Sequence, residues 1–184
     1  GRLLGLGYPG GPAIMAAAAG ATGRTFTLPR AWLGESLDFS FSGLKTAARR
    51  LVTTLRAEHG LPDDEPEAAL PAAVVAELAF AVQDSIVDVL VTKTVRAAEA
   101  VGARSIVIGG GVAANRVLRE RLAGAAEAIG LTLVAPRAGL CTDNGAMIGA
   151  AGARRFLAGE RAGLDLDARP SLPLAGPVRA GREG

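Results

Sequence analysis

The stretch SIVIGGGVAANR, residues 105–116, joins a short β-branched run to an amphipathic pattern through three consecutive glycines. The run predicts a strand over residues 104–108, and the pattern after the glycines predicts a helix over about 114–129. Ligands of open α/β sheets bind where a strand ends and a helix start offers free N–H groups. The glycine turn, Gly109–Gly111, therefore predicts close approach of a ligand to the backbone.

The glycine turn does not match two familiar nucleotide-binding motifs. GGGVAAN lacks the third glycine of GxGxxG and the GK[ST] ending of a P-loop. The glycines alone leave two interpretations open: a tight connection with Asn115 inside the first helical turn, or a ligand-binding turn. A second asparagine-containing turn, TDNGAM at 142–147, follows a predicted strand at 131–134. Two polar helix starts on neighbouring strands would line one crevice, which favours the ligand-binding interpretation.

Helical periodicity dominates the rest of the chain. It predicts helices from Pro12 to about Ala19, from Gly43 to His59 with Ser42 as N-cap, from about Ala72 to Val101, and from the TDNGAM turn to about Leu157. The predicted apolar face of the long third helix consists of Val75, Leu78, Val82, Ile86 and Leu90.

The order of these elements predicts an α/β protein with three regions. Residues 1–103 form a mainly helical region with the YPGGP turn and an acidic, proline-rich linker at 59–71. Residues 104–158 form a βαβα core, to which the family resemblance described below assigns nucleotide binding, and residues 159–184 form a C-terminal tail.

The composition is that of a globular protein with a core of small aliphatic side chains. Of the 184 residues, 49% are hydrophobic and only 4% aromatic. The net charge of +2 permits an anionic partner without requiring one. The single Cys141 excludes an internal disulfide framework and suits a reducing cytosol. No apolar run reaches the roughly 18 residues of a membrane span. We therefore predict a cytoplasmic protein without membrane contact.

Four stretches occur in an order that identifies a family: YPGGPA (8–13), DFSFSGLKTA (38–47), GGGVAANRVLR (109–119) and CTDNGAMI (141–148). Together they resemble the bacterial tRNA N6-adenosine threonylcarbamoyltransferase family. The resemblance runs from the turn at Gly7 into the tail and is specific, because four long motifs agree in sequence and in order.

The resemblance implies a fold and an activity. The fold is that of the actin-like ATPase and sugar-kinase superfamily (ribonuclease H-like), with a largely helical insertion. The family enzyme transfers the threonylcarbamoyl group from threonylcarbamoyl-AMP to N6 of the adenosine 3′ of the anticodon in tRNAs that read ANN codons. The implied partners are tRNA, a smaller paralogous protein and a P-loop ATPase of the same modification pathway.

The resemblance also implies site residues. Gly11 and Asn115 match substrate-binding positions, and Gly109, Gly110 and Gly111 would form the floor under the adenosine of the adenylate. Asp143 matches the carboxylate ligand of a divalent metal ion, iron or zinc, and is the only residue to which catalysis is assigned. As a residue at a helix start, Asp143 could instead serve as a cap.

The chain departs from the family pattern in its metal ligands. The family uses two histidines in an HxxxH arrangement, whereas this chain contains only His59, which we interpret as solvated. The family's glycine- and serine-rich substrate loop and its upstream aspartate are also absent. We therefore expect the C-terminal half of such an enzyme, without the N-terminal domain and inactive by itself.

Two other functions compete with this prediction. A non-catalytic paralogue acting as a protein interaction module would be expected to lose the glycine turn and the TDNGAM carboxylate, and both are present. An ATP-dependent sugar kinase would need a catalytic aspartate and a phosphate-binding loop that the sequence does not show. Seven basic residues could contact tRNA phosphates or form a solvated face, and we favour the solvated face. They are Lys45, Arg49, Arg50, Arg56, Arg116, Arg119 and Arg121.

Overall fold

The computed structural model describes residues 1–61 and 69–167, so parts of the predicted linker and tail, residues 62–68 and 168–184, lie outside it. Within the described residues the α-helices and strands, in chain order, are α1 (Gly10–Ala18), α2 (Ser42–Glu58), α3 (Ala72–Ala100), β1 (Ser105–Val107), α4 (Arg116–Ala128), β2 (Thr132–Val134) and α5 (Gly145–Leu157). The chain is thus mostly helical with a small sheet, which confirms the α/β prediction at this level.

The two strands form a parallel pair joined through α4. Ser105 pairs with Thr132 and Val107 with Val134, so the strands end at the same edge. Apolar residues of α3, β1 and α4 pack into one core cluster beneath them: Val87, Val91, Ala98, Ile106, Leu118, Leu122 and Ala126. This cluster fixes the strand end from which the glycine turn begins.

Helix α3 is buried on more than the one predicted face. Of the five predicted face residues only Leu78 is fully buried, and the other four are half-buried. The physical reason is that α3 packs against α1, α2 and α4 in three separate core clusters. A helix with neighbours on several sides does not need a single apolar stripe.

The irregular segment 20–41 is fastened along α3 by polar contacts. The Ser85 hydroxyl donates to the Leu28 carbonyl at 3.1 Å. Further along the helix, the ammonium group of the fully buried Lys93 donates a hydrogen bond to the Asp38 carbonyl at 2.5 Å. Buried polar groups are stable only with such partners, so these contacts fix the path of the segment.

Four charged side chains join segment 20–41, α3 and α4. Arg30 contacts Asp84 at 2.5 Å and Asp88 at 2.7 Å, while Arg121 contacts the same carboxylates at 2.9 and 2.6 Å. Burial raises the pKa of Asp88, but the hydrogen bonds and charges of Arg30 and Arg121 outweigh it, so the pKa lies below its usual value. The contribution of Asp88 to holding α4 in place is therefore lost when this carboxylate is protonated.

Stability is expected to fall in acid because of Glu77 and Asp88. Glu77 accepts the Gly23 and Thr22 backbone N–H groups at 2.7 and 2.9 Å, and these bonds lower its pKa. A carboxyl with a lowered folded-state pKa stabilises the protein above its unfolded-state pKa, and that contribution disappears as pH falls through the folded-state value. The urea midpoint should therefore be constant near about pH 6 and drop below about pH 4.

Glu77→Gln provides the control for this pH dependence. The glutamine amide cannot ionise, so the urea midpoint of the variant should fall less in acid than that of the wild type. At neutral pH the variant should be less stable than the wild type, because it lacks the carboxylate that accepts the backbone N–H groups. An unchanged pH profile in both the Gln variant and Asp88→Asn would contradict the prediction.

The start of α2 differs from the prediction. Ser42 is the first helical residue rather than the N-cap, and no side chain caps this helix; its neighbour Phe41 occupies the cap position. The Ser42 carbonyl accepts the Thr46 hydroxyl at 3.2 Å. The helix begins one residue earlier than predicted, because the Phe41 carbonyl already accepts the Lys45 N–H at 3.0 Å.

The described chain divides into two compact units, Gly1–Asp143 and Asn144–Gly184. In the second unit Asn144 caps α5 by accepting the Met147 N–H at 2.9 Å. No helix among the described residues combines the length and the apolar character needed to cross a bilayer.

Candidate functional site

The glycine turn leaves its backbone open. Gly110 adopts φ 81° and ψ 171°, a region that essentially only glycine occupies. A Cβ atom added at Gly109 or Gly110 would meet no other atom within 4 Å. A 3₁₀ turn, Gly111–Ala114, then leads into α4. A flat ligand can therefore approach the peptide groups directly.

Asn115 is the N-cap of α4 and does not lie inside its first turn, which corrects the structural interpretation of this residue. Its side-chain oxygen accepts the Leu118 N–H at 3.0 Å. Its side-chain nitrogen donates to Gln83 Oε1 of α3 at 3.1 Å. The backbone of Asn115 is extended, as an N-cap requires. One amide hydrogen remains for a ligand, because the carboxamide carries two.

The second polar turn lies beside the glycine turn. A Cβ atom at Gly111 would be 3.6 Å from Thr142 Cγ2, an ordinary van der Waals distance. Thr142 immediately precedes Asp143 in the chain. The parallel pairing of β1 and β2 explains this proximity, since the segments after both strands start from the same sheet edge.

Asp143 has an exposed and uncommitted carboxylate. Over residues 1–61 and 69–167 its side chain makes no hydrogen bond or ion pair. The alternative that Asp143 caps the following helix is wrong, because the cap of α5 is Asn144. Its carboxylate is therefore available to a cation.

Gly11 lies apart from these residues in the first turn of α1. A Cβ atom there would meet nothing within 4 Å. Helix α1 packs on the first part of α3, in a core cluster different from the one beneath the glycine turn. Among the described residues, no hydrogen bond joins the start of α1 to the glycine turn.

The basic residues named in the sequence have divergent roles. Arg119 and Arg121 make internal contacts, and Arg116 pairs with Glu120 at 3.1 Å on the surface. Lys45, Arg49 and Arg50 are exposed on α2. His59 is exposed, as predicted, with Nδ1 2.8 Å from the Leu55 carbonyl. These residues therefore do not form one continuous basic patch.

Gln83 is a site-supporting residue that local sequence patterns do not mark. It is 7% exposed on α3, and its carbonyl is the acceptor that orients Asn115. The only signal is a glutamine within the largely apolar stretch AFAVQDSIVDVLV. Two cavities of about 190 and 210 Å³ lie elsewhere, and neither is lined by any of the predicted site residues.

Comparison with known proteins points to one family. The family model for tRNA N6-adenosine threonylcarbamoyltransferase, TsaD, matches residues 1–150. A protein of that name from Thermomicrobium roseum is 50% identical over 184 residues, covering 94% of this chain and 49% of the relative. A protein of the same name from Sorangium cellulosum is 47% identical over 177 residues, covering 94% of this chain and 46% of the relative.

A third relative of that name comes from Bordetella petrii and is 48% identical over 159 residues, or 86% of this chain and 43% of the relative. The chain spans about half the length of the curated relatives it matches. The identity is high over nearly all of this chain, and the family match covers both polar turns. The chain therefore belongs to the tRNA N6-adenosine threonylcarbamoyltransferase (TsaD) family.

Proposed function

We propose that the chain is part of an enzyme that modifies tRNA. It transfers the threonylcarbamoyl group from threonylcarbamoyl-AMP to N6 of the adenosine 3′ of the anticodon in tRNAs that read ANN codons. The shared name of the relatives supports this transferase activity and tRNA as the acceptor. The bond from the carbamoyl carbon to the phosphate oxygen breaks and a bond from that carbon to N6 forms. AMP leaves with the electron pair, and N6 gives up a proton.

The observation that carries this proposal is the proximity of the two polar turns. Gly111 lies against Thr142, one residue before the uncommitted carboxylate of Asp143. An open glycine backbone suits a flat adenosine, and a nearby carboxylate suits a cation that would accompany a phosphate group. The two features together fit an adenylate better than either fits alone.

The residues of the glycine turn have separate proposed roles. Gly110 gives the turn its shape, and the open peptide groups of Gly109 and Gly110 form the floor for the adenosine. The remaining amide hydrogen of Asn115 donates to the nucleotide. Gly11 contributes a second close approach from α1, which its open surroundings support.

Asp143 fits a divalent metal ion, iron or zinc, as one ligand of several. Within the described ranges no group of three or more His, Cys, Asp or Glu side chains could hold a metal. A carboxylate oxygen is an accepted ligand of both metals. A bound ion of this kind polarises an oxygen of the reacting group. We propose that histidines of an HxxxH arrangement in a longer protein supply further ligands.

The wider proposal follows the family resemblance. The α/β arrangement is proposed to be an actin-like ATPase and sugar-kinase type domain. Residues 104–158 would form its nucleotide-binding core and residues 1–103 its mainly helical region. A smaller paralogous protein and a P-loop ATPase are proposed as partners, and the cytoplasm is the proposed location.

A transfer assay tests the function. The complete gene product that contains this chain is incubated with threonylcarbamoyl-AMP, iron or zinc, and an unmodified tRNA transcript that reads an ANN codon. The two partner proteins are added in separate arms. We expect one AMP per modified adenosine. A transcript with guanosine at the acceptor position is the control and should stay unmodified. AMP release without modified tRNA in every arm would contradict the proposal.

Asn115 separates substrate binding from helix capping. Asn115→Ser keeps a capping oxygen but loses the hydrogen bond to Gln83, so its melting temperature should fall less than that of Asn115→Ala, while the lost amide hydrogen should raise the KM for the adenylate. Asn115→Ala should lower the melting temperature, with about 1 kcal/mol of lost stability, and should also raise the KM for the adenylate. A serine variant with an unchanged KM would show that Asn115 acts only as a cap.

A further inference from the structure

Arg119 connects the two polar turns. It lies on α4, half-buried, one turn after the helix start. Its Nε donates to the carbonyl of Ala113, in the 3₁₀ turn that continues the glycine turn. One terminal nitrogen donates to the Pro136 carbonyl at 2.6 Å and to Cys141 Sγ at 2.9 Å. A single guanidinium therefore binds the segment after β1 and the segment after β2.

The segment after β2 is folded around this guanidinium. Residues Ala138–Leu140 form a 3₁₀ turn, and Cys141 is 1% exposed. The Cys141 thiol donates to the Arg137 carbonyl at 3.6 Å, so its sulfur lone pairs face Arg119. Asp143 follows two residues later. The position of its backbone therefore depends on how residues 136–141 are held.

We propose that Arg119 is a positioning residue that sets the spacing between the glycine turn and Asp143. Its planar fork can bind acceptors of two segments at fixed angles, which a lysine ammonium cannot reproduce. Charge-assisted hydrogen bonds are stronger than neutral ones, so one side chain can hold both turns. This inference rests on the proposed function, because the spacing matters only if both turns serve one substrate.

Four forms of the complete gene product that contains this chain test the role of Arg119: wild type, Arg119→Lys, Arg119→Met and the control Arg116→Met. The Arg116 change removes the same charge from the same helix, but among residues 1–61 and 69–167 the Arg116 side chain pairs only with exposed Glu120. The first measurement is amide hydrogen exchange. The amides of Ala113, Asn115, Leu140 and Cys141 are hydrogen-bonded within the two turns and report on them directly.

We expect faster exchange at these amides in both Arg119 variants and no change in Arg116→Met. Exchange in α1 and α2 should stay at the wild-type rate in Arg119→Lys, which separates local positioning from general loss of stability. In transfer assays, Arg119→Lys should raise the KM for threonylcarbamoyl-AMP on the order of 10-fold and leave the KM for tRNA unchanged.

The outcomes distinguish this inference from the proposed function. If wild type shows no transfer, the proposed function fails, while hydrogen exchange still decides the role of Arg119. If Arg119→Lys leaves exchange unchanged in both turns, or loosens only one of them, Arg119 does not connect the turns. If both turns loosen but the KM for the adenylate does not change, the spacing does not serve the substrate and the inference is wrong.

Discussion

Replacing Gly110 with valine is expected to destabilise the protein by about 1–3 kcal/mol and to abolish measurable adenylate binding. The backbone angles of Gly110, φ 81° and ψ 171°, are strained for any residue with a Cβ atom and most of all for a β-branched one. The added side chain would also project into the open space that we assign to the adenosine. Strain and occlusion therefore act together at this position.

Gly109→Val separates the two effects. Gly109 does not have a positive φ, and a Cβ atom there also meets nothing within 4 Å. The variant should keep the urea midpoint of the wild type yet weaken nucleotide affinity measured by calorimetry. Unchanged affinity in the Gly109 variant, together with unchanged affinity in any folded Gly110 variant, would mean that the turn is not the adenosine floor.

The second large effect is expected for Asp143→Asn. The change removes the charge of the proposed metal ligand, a side chain that has no partner within the described part of the chain. Transfer activity should fall at least about 100-fold, since even losing a group that only orients a metal ligand costs about 10–100-fold. Elemental analysis after dialysis should show less iron or zinc per protein than in the wild type.

Stability is the control for Asp143. Because Asn144 rather than Asp143 caps α5, the Asn variant should keep the wild-type melting temperature. Asn144→Ala should show the opposite result, with about 1 kcal/mol of lost stability from the missing cap. An Asp143→Asn protein with full metal content and full activity would overturn the ligand assignment.

Local patterns were sufficient to predict most of the elements. The β-branched run before three glycines predicted β1, and helical spacing predicted α1 to α5 to within two residues at nearly every end. These features depend on periodicity and turn chemistry within a few residues, which a single sequence displays. The same argument located the two polar turns on neighbouring parallel strands.

One wrong prediction and one open alternative concern helix starts: Ser42 was predicted to be an N-cap, and Asp143 could have been one instead of a metal ligand. Ser42 and Phe41, like Asp143 and Asn144, differ by one position at a helix start. The cap is decided by the backbone angles of the preceding loop, and those angles depend on what the loop packs against. Sequence spacing alone does not contain that information.

The sequence by itself determined that a glycine-only turn opens a helix, that a carboxylate follows the next strand, and which family the motifs resemble. Only the tertiary structure decided which residues form hydrogen bonds with the polar side chains of these turns. Gln83 orients Asn115 from 32 residues away, and Arg119 reaches Cys141 across 22 residues. A side chain's type fixes what it can donate or accept, but its partner is chosen by the packing of α3, α4 and both strands into one core.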